Sequence, residues 1–201
     1  MYKSKRVLVT GSNGFFGKNI CKELQVLGAD VFCATRQDAD LLNINETRTL
    51  FGNILPEIVF HCAVQGGGIG WMKENPVASG ADNLRMNLNV LESAHAVKVK
   101  SFVGVSSACI YPKNGLQPYS EEAIWNGYPE PLNGPYALSK RMMMDLGRSY
   151  AEQYDMHCVF PILANLYGPG DHLVPERAHV ITDLMLRSIH NLDELIVWGS
   201  G

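Results

Sequence analysis

Short runs of apolar residues alternate along this chain with longer segments whose apolar residues are three or four positions apart. The short runs predict β-strands, and the three-and-four spacing predicts amphipathic helices. Because several of the short runs contain few polar residues, we expect strands that are covered on both faces, as in a parallel sheet. The predicted strands are 6–10, 30–35, 57–63, 101–106, 156–163 and 195–198.

Helical patterns follow most of these strands. Their predicted positions are 20–27, a segment through Phe51 capped by Asn43 or Asn45, 75–97 with Asn75 as cap, 136–154, and 178–190. Strands that alternate with helices are typical of an α/β fold, so we predict a Rossmann-like, doubly wound parallel sheet with helices on both faces. Residues 1–201 are expected to form one domain.

A glycine-rich turn joins the first strand to the first helix. Gly11 permits a tight turn, Gly14 lets backbone N–H groups approach a pyrophosphate, and Gly17 allows the helix to pack closely on the strand. This strand–turn–helix context predicts a dinucleotide site. The residues between the glycines, which are Asn13, Phe15 and Phe16, belong to the same predicted site.

The end of the second strand indicates which dinucleotide is bound. An NAD site typically has a carboxylate here, but this chain has Thr35 followed by Arg36. A guanidinium suits a 2′-phosphate, which favours NADP and leaves NAD as the alternative. Asp40 and Leu41 are expected either to flank the adenine or to begin the next helix.

Candidate catalytic residues follow the fourth strand and begin the fourth helical segment. Tyr136 and Lys140 are four residues apart, so on a helix they share one face, and a nearby ammonium would lower the pKa of the phenol. Tyr136 is therefore a candidate general acid. Ser107 and Cys109 come where the fourth strand ends, at the edge where doubly wound sheets bind ligands. The glycine-rich loop 65–70 is expected to touch cofactor or substrate.

Composition narrows the range of functions. The net charge of −3, without a basic block, excludes a nucleic-acid footprint, and no apolar run approaches membrane-spanning length. Five cysteines without C-x-x-C spacing indicate reduced thiols rather than disulfides or a metal site. We therefore expect a cytoplasmic protein with no metal and no membrane partner.

Several motifs together resemble the extended short-chain dehydrogenase/reductase family. Within that family the chain is most similar to the NADPH-dependent enzymes that epimerise C3 and C5 and reduce C4 of GDP-4-keto-6-deoxymannose. The resemblance extends over essentially the whole chain. It is carried by Gly66-Gly67-Gly68-Ile69, 106–113, Pro135-Tyr136-Ala137, 165–169, His179-Val180-Ile181 and 197–201, besides the glycine turn, Ser107 and the Tyr136–Lys140 pair.

The resemblance implies a role for each matching residue. Ser107 would orient the substrate carbonyl, Tyr136 would protonate the C4 oxygen, and Lys140 would lower the pKa of the tyrosine and hold the nicotinamide ribose. Cys109 and His179 would be the acid/base pair for epimerisation. The substrate would contact Asn165, Arg187 and Gly67. The NADP(H) contacts would be Gly11, Asn13, Gly14, Phe15, Phe16, Gly17, Arg36, Asp40, Leu41, Ala63, Lys140 and Leu163.

Two further expectations come from the same resemblance. Helices 84–97 and 136–154 resemble the pair that forms a four-helix interface in the family, which predicts a homodimer. The family also has a C-terminal substrate-binding portion that this chain lacks, so the chain is expected to be truncated after Gly201.

Two alternative functions remain. A related enzyme could be a nucleotide-sugar 4-epimerase, 4,6-dehydratase, or single-function 4-reductase or 3,5-epimerase. A dehydratase would carry an Asp-Glu pair where Ala108 and Cys109 stand, which argues against that activity. From a different class, the chain could be a non-catalytic dinucleotide-sensing domain, although Ser107, Tyr136 and Lys140 argue against it.

Overall fold

The computed structural model describes residues 2–171, 173 and 180–190. The strands are β1 (Arg6–Thr10), β2 (Asp30–Ala34), β3 (Ile58–His61), β4 (Ser101–Gly104), β5 (Ser106–Ser107), β6 (His157–Val159) and β7 (Ile162–Leu163). The α-helices are α1 (Phe15–Val26), α2 (Ile44–Ile54), α3 (Ile69–Glu74), α4 (Asn83–Ala96), α5 (Gly134–Tyr154) and α6 (Val180–His190).

The main sheet is parallel and has the strand order β2-β1-β3-β4-β6. β2 lies on one side of β1, and β3, β4 and β6 follow one another on the other side. The order therefore reverses between β1 and β3, and in such sheets ligands bind at the carboxyl ends of the strands beside this reversal. The predicted parallel sheet is confirmed.

Helices cover both faces of this sheet, as the alternation of side chains along β1 demonstrates. Leu8 packs into a cluster with Phe51 of α2, Val90 of α4 and Met143 of α5. Val7 and Val9 point the other way, into a second cluster that contains residues of α1. Because neighbouring residues of one strand enter different apolar layers, the sheet is doubly wound.

Two of the predicted strands are each divided in the structure. Residues 101–106 form β4 and β5, and residues 156–163 form β6 and β7. Pro161 has no backbone N–H and cannot continue a regular ladder, but its carbonyl accepts a hydrogen bond of 3.0 Å from the amide of Ser106. The two-residue strands β5 and β7 therefore pair in a separate small sheet, which carries Ser107 beyond the main sheet.

The helix predicted over 75–97 is present as a continuous helical segment from residue 76 to Ala96, but its first part is irregular. Asn75 is the C-cap of α3, and its side chain donates to the Trp71 carbonyl instead of capping a following helix. A π-helical turn, Ala78–Asp82, then precedes α4. The side-chain amide of Asn83 donates a hydrogen bond to the Ser79 carbonyl at 2.7 Å. This side chain enters the ladder of backbone hydrogen bonds and so accounts for the irregular turn.

The predicted helix boundaries hold where local capping residues define them. Gly28, at φ +78°, terminates α1, and the Asn43 side chain accepts hydrogen bonds from the amides of Asn45 and Glu46 at the start of α2. The predicted strand 195–198 and the first two residues of the predicted helix 178–190 lie outside the described residues. Within the described part of the chain, none of the helices has the length and apolar character needed to cross a membrane.

Candidate active site

The glycine turn lies against the end of β3. Gly11 has φ +68°, and a β-carbon placed there would come within 2.6 Å of the Ala63 amide nitrogen. A β-carbon on Gly17 would lie 2.3 Å from the Gly11 carbonyl oxygen. Both positions therefore require glycine, and the turn brings Gly11, Gly17 and Ala63 together as predicted.

The start of α1 has the features of a phosphate site. Its N-cap is Gly14, which provides no side-chain cap, and the first turn contains no acidic residue. The first amides of this 12-residue helix consequently lack side-chain partners and carry the positive end of the helix dipole. Asn13 and Gly14 are exposed here, and Phe15 and Phe16 are half-buried. This arrangement fits the pyrophosphate of a dinucleotide.

At the end of β2 the available charge is positive. Arg36 is exposed and forms no ion pair with any residue in the described ranges. The nearby carboxylate of Asp38 accepts hydrogen bonds of 2.8 Å from both the amide and the hydroxyl of Thr35, and these bonds lower the pKa of Asp38. The carboxylate that could serve a ribose is thus engaged locally, whereas the Arg36 guanidinium remains accessible.

Asp40 and Leu41 have roles within the chain. The Leu41 side chain is buried in the main core, and the Leu41 carbonyl accepts a hydrogen bond from Asn89. The amide of Asp40 donates to the carboxylate of Glu46 in the first turn of α2. Of the two predicted roles for this segment, the structure supports helix initiation, and the Leu41 side chain is not available to flank an adenine.

Ser107, Cys109 and Tyr136 come together where β5 meets the start of α5. The Ser107 hydroxyl oxygen accepts a hydrogen bond from the Cys109 amide at 3.3 Å, so it caps the short 3-10 turn that carries the cysteine. Ser107 and Cys109 are both near enough to Tyr136 to influence the pKa of its phenol. Leu163 pairs with Ser107 across the small sheet, beside this group.

The expected effect of Lys140 on Tyr136 is not found. Burial, followed by the nearby Cys109, raises the pKa of Tyr136 to about 12, and only the influence of Ser107 opposes the shift. The Lys140 ammonium nitrogen lies 5.9 Å from the centroid of the tyrosine ring. Burial lowers the pKa of Lys140 itself to about 8. Tyr136 is therefore protonated at neutral pH, and the desolvation of its phenol outweighs the attraction expected from the lysine.

Lys140 is 2% exposed, yet none of the described residues accepts a hydrogen bond from its ammonium. Its nitrogen is not among the described polar atoms that are fully buried without a partner, so it keeps some access to solvent and can donate hydrogen bonds to a ligand. Hydroxyl oxygens of a nicotinamide ribose would provide such acceptors. Together with the open start of α1, this available ammonium fits a bound dinucleotide.

The sequence analysis missed two residues that organise the Cys109 segment. The Asn133 amide donates to the Cys109 sulfur at 3.7 Å. Arg141, which is buried, donates to the Ile110 carbonyl through Nε at 2.8 Å and to the Gly127 carbonyl through Nη1 at 2.9 Å. Its position directly after Lys140 was the available sequence signal, because a buried arginine in a helix needs acceptors from another segment.

The remaining predicted substrate residues are less well defined. A β-carbon on Gly67 would approach the Trp71 side chain to 2.8 Å, so packing within the chain already explains this glycine. Asn165 is exposed after β7, and Arg187 forms an ion pair with Asp183 one turn earlier on α6. His179 lies outside the described residues.

Comparison with known proteins identifies the family. Residues 7–201 match the NAD dependent epimerase/dehydratase family. The chain is 33% identical over 204 residues to the GDP-L-fucose synthase of Escherichia coli (strain K12), an alignment that covers 98% of this chain and 63% of the relative. The chain thus spans about three fifths of the length of the curated relatives it matches.

Solved structures agree with this result. A GDP-L-fucose synthetase from Naegleria fowleri bound to NADP superimposes with a TM-score of 0.83 and 31% identity, over 100% of this chain and 67% of that one. A GDP-mannoheptose C4 reductase from Campylobacter jejuni with NADP bound gives 0.81 and 28%, over 86% of this chain and 55% of that one. By its sequence match and its doubly wound sheet, the chain belongs to the NAD dependent epimerase/dehydratase family.

Proposed function

We propose that this chain is the cofactor-binding and catalytic part of a GDP-L-fucose synthase-like enzyme. The enzyme would epimerise C3 and C5 of GDP-4-keto-6-deoxy-D-mannose and reduce the C4 ketone. One observation carries the proposal: the hydroxyl of Ser107, the thiol of Cys109 and a protonated Tyr136 lie together next to Lys140, which is 2% exposed. These side chains combine a proton donor for a ketone oxygen with a separate thiol that can remove a proton from a carbon next to the ketone.

NADP(H) is the proposed cofactor, with the pyrophosphate at the start of α1 and the 2′-phosphate at Arg36. The accessible guanidinium and the local engagement of Asp38 support NADP over NAD. The N. fowleri and C. jejuni relatives described above were both solved with NADP bound, which supports the same choice. Lys140 would hold the nicotinamide ribose.

In the reductive step the protein provides a proton and orientation, and bound NADPH would supply the hydride. Tyr136 is a proton donor because its pKa is far above neutral pH, and it would give its proton to the C4 oxygen. Ser107 would donate a hydrogen bond to the same oxygen and hold it near the phenol. The charge that develops on the ketone oxygen is thereby neutralised as the hydride arrives.

In the epimerisation step, Cys109 would remove a proton from a carbon next to the ketone. Such a proton is acidic because the ketone accepts the resulting negative charge, and Ser107 is in place to stabilise it. Asn133 and Arg141 would keep the sulfur directed into the site through the contacts described above. His179 is proposed to deliver a proton to the opposite face, which would invert the centre.

The proposal is tested with the complete protein and GDP-4-keto-6-deoxymannose. NADPH should be oxidised in proportion to the sugar that is consumed, and the product should carry inverted C3 and C5. Tight NADPH binding without oxidation would instead indicate a dinucleotide-sensing domain.

A second function is a C4 reductase for GDP-sugars that does not epimerise. The observation in its favour is the similarity to the C. jejuni GDP-mannoheptose C4 reductase. Product analysis separates the two functions, because a simple reductase would oxidise NADPH but leave C3 and C5 unchanged and introduce no solvent deuterium at these carbons.

The choice of cofactor gives a direct prediction for Arg36. Replacing it with alanine should weaken NADPH binding by about tenfold to a hundredfold, because a hydrogen bond to a charged group contributes about 1.5–3 kcal/mol. NADH has no 2′-phosphate, so its affinity should change by less than about twofold. Fluorescence titration of both cofactors measures the difference. Arg48→Ala, which removes an exposed arginine paired with Glu92, is the control; equal losses for both cofactors in Arg36→Ala would refute the assignment.

We also propose a homodimer formed through α4 and α5. Leu88 of α4 and Leu138, Met142 and Tyr154 of α5 are exposed apolar residues, and Leu138 and Met142 are neighbours one turn apart. The dimer would cover this apolar stripe.

The complete protein should therefore sediment as a dimer at micromolar concentration, whereas the double variant Leu138→Asp/Met142→Asp should be a monomer. Val26→Asp changes an exposed apolar residue of α1 and should leave the dimer intact. A monomer for the unmodified protein would contradict this arrangement.

A cytoplasmic location also belongs to the proposal, and the five free cysteines support a reducing compartment.

A further inference from the structure

A continuous series of hydrogen bonds crosses the core between the glycine turn and the catalytic helix. The Ala63 amide donates to the Thr10 hydroxyl oxygen at 3.4 Å, and this hydroxyl lies 2.7 Å from Nδ1 of His61. Nε2 of His61 lies 3.0 Å from Oδ1 of Asn87, whose amide nitrogen donates to the Ser139 carbonyl at 3.2 Å. We call these side chains, Thr10, His61 and Asn87, the buried polar chain.

The direction of each bond follows from its fixed ends. The Ser139 carbonyl can only accept, so the Asn87 nitrogen points towards it and Oδ1 faces His61. Nε2 of His61 must then carry the hydrogen, which leaves Nδ1 to accept from the Thr10 hydroxyl. Both ring nitrogens of His61 are thus satisfied by a single tautomer of a neutral imidazole.

The surroundings keep this imidazole neutral. His61 is fully buried, and burial followed by the positive charge of Lys140 lowers its pKa to about 3. The other neighbours that face the ring are the uncharged Thr10 and Asn87 and the ring of Phe102. The buried polar chain therefore has one stable arrangement throughout the physiological pH range.

Both ends of the buried polar chain adjoin the proposed chemistry. Thr10 immediately precedes Gly11 of the phosphate-binding turn, and Ala63 is the residue against which that turn packs. Ser139 immediately precedes Lys140, and its hydroxyl donates to the Tyr136 carbonyl at 2.7 Å. Purely apolar contacts would hold these elements together without fixing their relative position, whereas directional buried hydrogen bonds specify one register.

We propose that His61 and Asn87 are positioning residues that hold α5 in register with the phosphate-binding turn, so that Tyr136 lies at the correct distance from the cofactor. This inference rests on the proposed reduction. The inference goes beyond the proposed reduction because neither His61 nor Asn87 would touch the cofactor or the substrate. A displacement of about 1 Å between reacting groups can reduce a rate by about a hundredfold, so the register has a direct catalytic effect.

The first test compares two asparagines of α4 in the complete protein. Asn87→Leu leaves the His61 Nε2–H without a partner and removes the bond from the Asn87 side chain to the Ser139 carbonyl. Asn89→Leu removes an amide that donates to the Leu41 carbonyl, outside the buried polar chain, and provides a matched control. Single-turnover NADPH oxidation should be at least about tenfold slower in Asn87→Leu, with NADPH affinity within about threefold of the unmodified protein. Asn89→Leu should retain the unmodified single-turnover rate.

The split between rate and affinity distinguishes positioning from general destabilisation. If the melting temperature falls by the same amount in both variants and the single-turnover rate falls in neither, the buried polar chain is only structural and the proposal is wrong. If Asn87→Leu fails to fold, Thr10→Val, which removes the hydroxyl that bonds Nδ1 of His61, should still slow hydride transfer severalfold. An unchanged rate in Thr10→Val would then count against the proposal.

The second test does not depend on activity. Nitrogen NMR of the unmodified 201-residue chain should detect His61 as a neutral imidazole with its hydrogen on Nε2 from about pH 5 to about pH 8. A His61 that titrates within this range, or carries its hydrogen on Nδ1, would overturn the inference. If the complete protein does not oxidise NADPH at all, the proposed function fails, and this measurement still decides whether the buried polar chain exists as described.

Discussion

Replacing Tyr136 with phenylalanine should reduce NADPH oxidation by about 10²–10⁴-fold or more, while the substrate continues to exchange carbon-bound hydrogen with deuterated water. Reduction needs a proton at the ketone oxygen, and the Tyr136 phenol holds such a proton because burial raises its pKa to about 12. Exchange requires only a base near the carbon and a ketone that accepts charge. The complete protein should be assayed for cofactor absorbance and for deuterium in the recovered sugar.

Tyr150→Phe provides the matched control for this experiment. Tyr150 lies on the same helix, where its ring packs against His95 and Tyr154 rather than against Ser107. Its loss should leave both NADPH oxidation and exchange unchanged. Rapid NADPH oxidation by Tyr136→Phe would show that another group donates the proton, and the role assigned to Tyr136 would have to be abandoned.

Replacing Cys109 with alanine should have the complementary effect. Deuterium exchange should fall by about 10²–10⁴-fold, because a positioned acid/base group contributes this much to proton transfer at carbon. Ser107 loses no hydrogen bond in this variant, since it accepts from the backbone amide of residue 109 rather than from the thiol. The proton donor and the cofactor site therefore remain intact, and mass spectrometry of the sugar isolates the contribution of the sulfur.

Cys158→Ala is the control for this second prediction. The Cys158 thiol is partly buried in β6, and burial raises its pKa to about 11, so it would not act as a base at neutral pH. Its removal should not affect exchange. If Cys109→Ala exchanges deuterium as fast as the unmodified protein, the protein is better described as a 4-keto reductase.

The two predictions concern neighbouring side chains and therefore test the geometry of the site as well as its chemistry. Tyr136 and Cys109 come from different elements, and Ser107 lies near both, accepting a hydrogen bond from the Cys109 amide. Arg141 adds to this connection, because it begins on α5 and binds the Ile110 carbonyl next to Cys109. A loss of both activities in either variant would indicate that the site had deformed, which is why the controls must accompany each measurement.

The sequence by itself determined the features that depend on nearby residues. The apolar runs predicted the parallel strands, Gly28 and Asn43 marked helix ends, and the glycines at 11, 14 and 17 predicted a turn that the structure contains. These signals are readable because periodicity, capping and tight turns are local properties. The spacing of Tyr136 and Lys140 was likewise sufficient to place them on one helix.

Only the tertiary structure decided the features that depend on distant residues. His61 meets Asn87 across 26 positions, and Asn87 meets Ser139 across 52, so no local pattern could indicate the buried polar chain. The raised pKa of Tyr136 depends on the burial of its phenol, which became known only when β5 and α5 were packed together. The division of 101–106 likewise required Pro161 as the neighbour of Ser106. Hydrogen bonding and desolvation are properties of the packed environment, and the chain order does not contain that environment until it has folded.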